Sequence, residues 1–284
     1  MRERKKLVGT GLMVVSALVF ATAGLFTKGV SAGAWDVIFW RSVFGILFMG
    51  AYILGRGRWT REFTNMGKPG WAVTLVGASG MVAFIPAFKL TSIANVSLIY
   101  AVTPLIAALI AWAWLGVKAT KPVLLGAVIA FLGVLVIVSG SLGGIELTGD
   151  LLALWMAIAL AIMMVIYQRY PDTPAAGPAV LSLLISLPFA LAFGAPFQVS
   201  YWEIMILAGF GAVFTIGAVT LGEGAKRLPA AETALLSILE APFAPIFAWV
   251  ILSEVPSGLT ILGGLIILGG VVRSQLYSNR KSIE

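Results

Sequence analysis

Two charged residues stand where an apolar chain can least accommodate them. Glu240 lies in LLSILEAPFAPIFAWVILSE (residues 235–254), just ahead of Pro242 and Pro245, and Arg41 lies in VIFWRSVFGILF (residues 37–48). An acid at the centre of a membrane helix costs about 3 kcal/mol on insertion scales, so Glu240 is expected to face the protein interior. There it can offer a carboxylate to a substrate ammonium or carry a proton. Equally, it can brace the backbone groups that the two prolines leave unpaired. Arg41 can grip a substrate carboxylate through two parallel N–H donors, pair with Glu240, or snorkel to the headgroups along its long stem. Other chemistries are closed: the chain has neither Cys nor His, which removes disulfides, thiolates, imidazole metal sites and a Ser-His nucleophile. Asp36, Asp150 and Asp172 fall at segment ends or in loops, so no intramembrane aspartate pair is expected. Neither metal nor cofactor is expected, and the residues point to binding and translocation rather than to an enzyme.

The elements that must position these groups follow from composition. Apolar residues make up 60% of the 284 positions, charged residues 11%, and mean hydropathy is +1.02; soluble domains carry about 25% charged residues. Runs of about 20 apolar residues, enough to cross the hydrocarbon layer, fall near 8–28, 35–55, 71–89, 95–116, 122–140, 150–168, 176–195, 203–224, 231–252 and 257–275. The net charge of +7 does not imply nucleic acid, because the basic residues lie between apolar segments rather than on one folded face. Arg2, Arg4, Lys5, Lys6, Arg56, Arg58, Arg61, Lys68, Lys118, Lys121, Arg169, Lys226, Arg227, Arg273, Arg280 and Lys281 all fall on one side. Lys28 and Lys89 fall on the other. The excess of Lys and Arg marks the cytoplasmic side, so both termini are expected there. The leader-like start, MRERKK before an apolar run with Ala21-Thr22-Ala23, reads as a retained first span, because cleavage would leave an odd number of helices.

An internal repeat appears when the halves are offset by about 137 residues. SLIYAVTPLIAALIAWAWLG (97–116), followed by Gly126 and Gly133, echoes the Glu240 stretch, followed by Gly263 and Gly270; Gly80 and Gly217 keep the same offset. The expectation is an all-α integral membrane protein of ten transmembrane helices in two five-helix repeats, 1–140 and 141–284. Five is odd, so the second repeat enters the membrane upside down. Inverted repeats of this kind are typical of secondary transporters, with the substrate site near the midplane between them.

The pattern Leu239-Glu240-Ala241-Pro242 through Ser253-Glu254, with the Gly-rich last helix and the early Trp40-Arg41-Ser42-Val43-Phe44, resembles the EamA family of the drug/metabolite transporter superfamily. The chain departs from the family form at Ala241, an extra residue before Pro242, and at Ser253, where glycine is usual. In the first repeat Thr103-Pro104 replaces Glu-Pro. Within the family, the size and aromatic interior are similar to the YddG-type amino-acid exporters. The resemblance implies export of amino acids or similar small metabolites by alternating access across the inner membrane, by a monomer or homodimer. Efflux of cationic or aromatic drugs, with Glu240 facing the cation, is the alternative. Exchange of phosphate esters would need more interior cations than Arg41, and a channel or scaffold remains a third class.

Helical spacing puts Thr233, Ser237, Glu240 and Ala244 on one stripe, opposite their repeat counterparts Val96, Tyr100, Thr103 and Ala107. Tyr100 is therefore the foremost aromatic of the interior, followed by Phe84 and Phe214, which sit beside Gly80 and Gly217. Pro86, Pro104, Pro242 and Pro245 are expected to bend their helices. Gly126, Gly133 and Gly140, and Gly263-Gly264 with Gly269-Gly270, predict close helix packing. Glu223 and Glu232 bracket Lys226-Arg227 as an interfacial charge cluster, and Glu254 is expected to be solvated.

Overall fold

Backbone polar groups have no water to bond in hydrocarbon, so an apolar chain of this kind must satisfy them within helices. The computed structural model describes residues 2–116, 121–225, 227, 236–237 and 239–281, and no strand occurs among them. Lys118, Lys226, Glu232 and Thr233 lie outside these residues. The helices are α1 (Arg2–Ala21), α2 (Ala23–Lys28), α3 (Ala34–Gly55), α4 (Trp59–Phe63), α5 (Gly67–Leu90), α6 (Ile93–Tyr100), α7 (Thr103–Leu115) and α8 (Lys121–Ser139). They continue with α9 (Glu146–Arg169), α10 (Ala176–Phe193), α11 (Tyr201–Ala225), α12 (Glu240–Leu252) and α13 (Gly258–Lys281). Among the described residues, seven stretches are long and apolar enough to cross a membrane, among them Leu7–Lys28 and Ile93–Leu115, each built from two consecutive helices. Leu124–Ser139, Glu240–Leu252 and Gly258–Arg273 are shorter apolar helices.

The interruption between α6 and α7 has a local cause. Pro104 cannot donate an N–H to the carbonyl four residues back, that of Tyr100. The Thr103 hydroxyl donates to that carbonyl instead, at 2.6 Å. Pro104 thus stands at the start of α7, while Pro86 lies inside α5, Pro245 inside α12, and Pro242 in the first turn of α12. The C-terminal ends of α7 and α12 are alike: Gly116 and Ser253, 137 residues apart, both adopt left-handed backbone, with φ of 68° and 57°. Serine holds this conformation at a cost that glycine avoids.

Packing pairs the helices in a reciprocal way. α5 lies along α9 and α1 along α11; α3 contacts both α10 and α11, and α10 also contacts α5. α8 and α13 make the most extensive pairing. A Cβ on Gly133 would lie 2.6 Å from the Gly263 carbonyl oxygen, one on Gly263 2.6 Å from that of Gly133, and one on Gly270 2.8 Å from that of Gly126. Since 126 and 263, like 133 and 270, are repeat partners, the first contact becomes the second when the two halves are exchanged. The same exchange relates the close approach of Gly45 to Gly211 to the hydrogen bond from Ser182 to the Thr74 carbonyl. Leu125, Val128, Leu132 and Leu135 of α8, with Ile261, Leu262 and Leu265 of α13, form an exposed apolar face, suited to lipid rather than water.

Candidate functional site

Arg41, in the second turn of α3, is only 3% exposed and does not reach for the bundle surface. Its guanidinium carbon lies 5.4 Å from the ring centre of Phe214, 5.5 Å from Phe210 and 5.8 Å from Phe84. The snorkelling alternative is thereby corrected: the side chain turns into an aromatic cage built by α5 and α11. The cage depends on small residues. A Cβ on Gly211 would lie 2.8 Å from the Gly45 backbone nitrogen and would also press on Phe44. Only a glycine there lets α11 approach α3 closely enough for Phe210 and Phe214, four residues apart, to reach the guanidinium. A second layer holds the rings: Phe26 stacks on Phe210 at 5.4 Å, Phe20 meets Phe214 edge-on at 6.5 Å, and Phe88 meets Phe84 at 5.0 Å.

Such rings attract a cation but accept little from its N–H groups. Arg41 Nε and Nη2 are buried and meet no hydrogen-bond acceptor among the described residues. Each unmet donor costs roughly 1–3 kcal/mol.

Glu240 opens α12 and is half-buried. It lies close enough to the half-buried Tyr100 to act on it electrostatically. Among the described residues it forms no ion pair with Arg41, so that alternative is not realised here, and none donates a hydrogen bond to it; residue 238, whose carbonyl Pro242 leaves without a donor, lies outside the described residues, so the bracing alternative is untouched. Ser237, one turn earlier, is also half-buried. Thr103 is buried and its hydroxyl is committed to the Tyr100 carbonyl. Of the residues singled out in the sequence, the structure gathers Arg41, Phe84 and Phe214 into one cluster and brings Tyr100 near Glu240. Phe210 completes the cage; its spacing of four from Phe214 was the available signal.

One end of the bundle, marked by Lys28 and Lys89, is bound together by polar contacts. Glu254 is not simply solvated: it accepts from Lys28 Nζ at 2.8 Å and from the Ile93 backbone N–H at 2.6 Å. Lys89 donates to the Val30 carbonyl at 2.7 Å, and Glu203 accepts from the backbone N–H groups of Ser31 and Ala32. Asp150 is wholly buried, accepting from Ser141 and Thr91 hydroxyls at 2.7 and 2.8 Å and from the Asn95 amide at 3.1 Å; Thr260 donates to Asn95 in turn. At the opposite end Glu62 accepts from the Ala176 and Gly177 backbone N–H groups, and Arg227 pairs with Glu223 at 2.8 Å.

Comparison with known proteins identifies the family of this bundle of apolar helices. The model of the EamA-like transporter family matches residues 7–139 and again residues 147–274. The chain belongs to the EamA-like transporter family. It is a multi-pass membrane protein of a family of transporters rather than enzymes. Proteins of two Pseudomonas aeruginosa strains, each the pseudopaline exporter CntI, are 25% identical over 269 residues, covering 92% of this chain and 93% of theirs. A protein of known crystal structure, 20% identical, superimposes with a TM-score of 0.70 over 99% of this chain and 100% of its own, a likeness of fold.

Proposed function

We propose that this EamA-like protein is a secondary transporter exporting amino acids and similar small metabolites across the inner membrane by alternating access. Its ten spans form two five-helix repeats, 1–140 and 141–284, inserted in opposite senses, with both termini cytoplasmic. The reciprocal Gly133–Gly263 and Gly126–Gly270 approaches support this arrangement, because a two-fold exchange of inverted halves turns one into the other. The observation that carries the function is Arg41, buried between helices of both halves with two donors unmet. An ionisable residue inside a membrane bundle is by default a candidate functional site.

The polar layer around Lys28, Glu254 and Glu203 then closes the outer end, leaving the interior to load from the cytoplasm. Outward direction is supported by the pseudopaline exporter relative. The half-buried Glu240, with no hydrogen-bonded partner among the described residues, keeps efflux of cationic drugs as the second reading. Counterflow in proteoliposomes decides between them: vesicles preloaded with unlabelled amino acids are given labelled tryptophan, leucine, lysine or glutamate, with methyl viologen as competitor. Saturable exchange of amino acids is expected; a protein that exchanges only the cationic drug belongs to the second class.

A further inference from the structure

The two unmet donors of Arg41 are not scattered around the guanidinium. Nε and Nη2 lie on one edge of its plane, so their N–H bonds run nearly parallel. That edge matches the two oxygens of a carboxylate, the pairing in which an arginine fork is strongest. Phe84, Phe210 and Phe214 surround the group at 5.4–5.8 Å and hold the cation without using its donors. Among the described residues Arg41 is the one cation that these rings touch, so a single negative charge neutralises the site and a phosphate dianion would leave an excess. A ligand that offers only an ammonium leaves both donors unmet and adds a like charge, which disfavours it twice.

We propose that the Nε–Nη2 edge of Arg41 is the seat of the substrate carboxylate, so that a free carboxylate is a condition of binding. The inference rests on the exporter reading and specifies its substrate class. The test is ligand binding to the purified full-length protein in detergent, using tryptophan, leucine and phenylalanine against tryptamine, isoamylamine and phenethylamine, with indole-3-propionate as a carboxylate lacking the amine. The acids, indole-3-propionate included, should bind, and the amines should bind roughly 10- to 100-fold more weakly, the range set by a charged hydrogen bond. Arg41→Gln should abolish the preference; Arg41→Lys, which keeps the charge without the fork, should retain a reduced one and guards against a folding defect. Amines binding as tightly as acids, acids binding Arg41→Gln as tightly as the wild type, or no acid binding at all would each overturn the proposal. Counterflow separates this from the exporter reading: exchange of amines without acid binding rejects the carboxylate seat alone, whereas no exchange of either rejects transport itself.

Discussion

The Lys28 end of the bundle and its middle treat buried charge in opposite ways. Asp150 is as deeply buried as Arg41, yet three side chains donate to it, and Glu254 is answered by Lys28 and the Ile93 N–H. Arg41 has aromatic faces around it and no acceptor on one whole edge, and Glu240 has no donor among the described residues. A charge satisfied by protein groups holds structure together. One left unsatisfied is destabilising until something arrives to answer it, and this separates the scaffold from the site better than burial does.

The largest effect is expected at Asp150. Asp150→Leu removes one acceptor from three donors at once and should lower stability by about 3–5 kcal/mol, seen as a large fall in the detergent unfolding temperature. An unchanged transition would mean that the network holds nothing. Arg41→Gln should do the reverse, leaving the unfolding temperature unchanged or raised, because an unanswered buried charge is removed, while ligand affinity falls.

Smaller changes sharpen the contrast. Phe214→Leu removes one wall of the cage and should weaken carboxylate binding by only a few-fold, in line with about 0.5–2 kcal/mol for a cation over a ring; loss comparable to Arg41→Gln would show that the ring itself contacts the ligand. Glu254→Gln loosens a partly exposed ion pair worth about 1 kcal/mol or less; combined with Phe20→Cys, which supplies an interior thiol, it should raise thiol labelling from the Lys28 side with little effect on folding. Glu240→Gln should leave stability within about 0.5 kcal/mol. If transport is then lost in a folded protein, a substrate or proton role is favoured, whereas loss of folding would favour the bracing role.

Much of the scaffold was legible in the sequence because the signals are local. Apolar runs mark the helices, Pro104 marks the break between α6 and α7, and the glycines at 126, 133, 263 and 270 mark the contact between α8 and α13. Arg41 with Phe84 and Phe214 was partly within reach, since aromatic walls were expected and an inward-facing Arg41 was one of the readings open beside snorkelling. What escaped depends on partners distant in the chain. Lys28 and Glu254 are 226 positions apart, and the donors to Asp150 come from residues 91, 95 and 141. A carboxylate at a segment end therefore looked solvated when it was a clasp, or peripheral when it was buried.

Under the proposed alternating access, one interior, centred on Arg41, is open to the two sides of the membrane in turn. The chain contains no cysteine, so Phe20→Cys, a half-buried position against Phe214, places a single thiol beside the cage. Its modification by a membrane-impermeant thiol reagent should be measured from each side of oriented vesicles. Alternating access predicts labelling from the cytoplasmic side at rest, and labelling from the outside that rises when a transported amino acid is supplied. Labelling confined to one side whether or not substrate is present, or simultaneous and substrate-insensitive labelling from both, would contradict it.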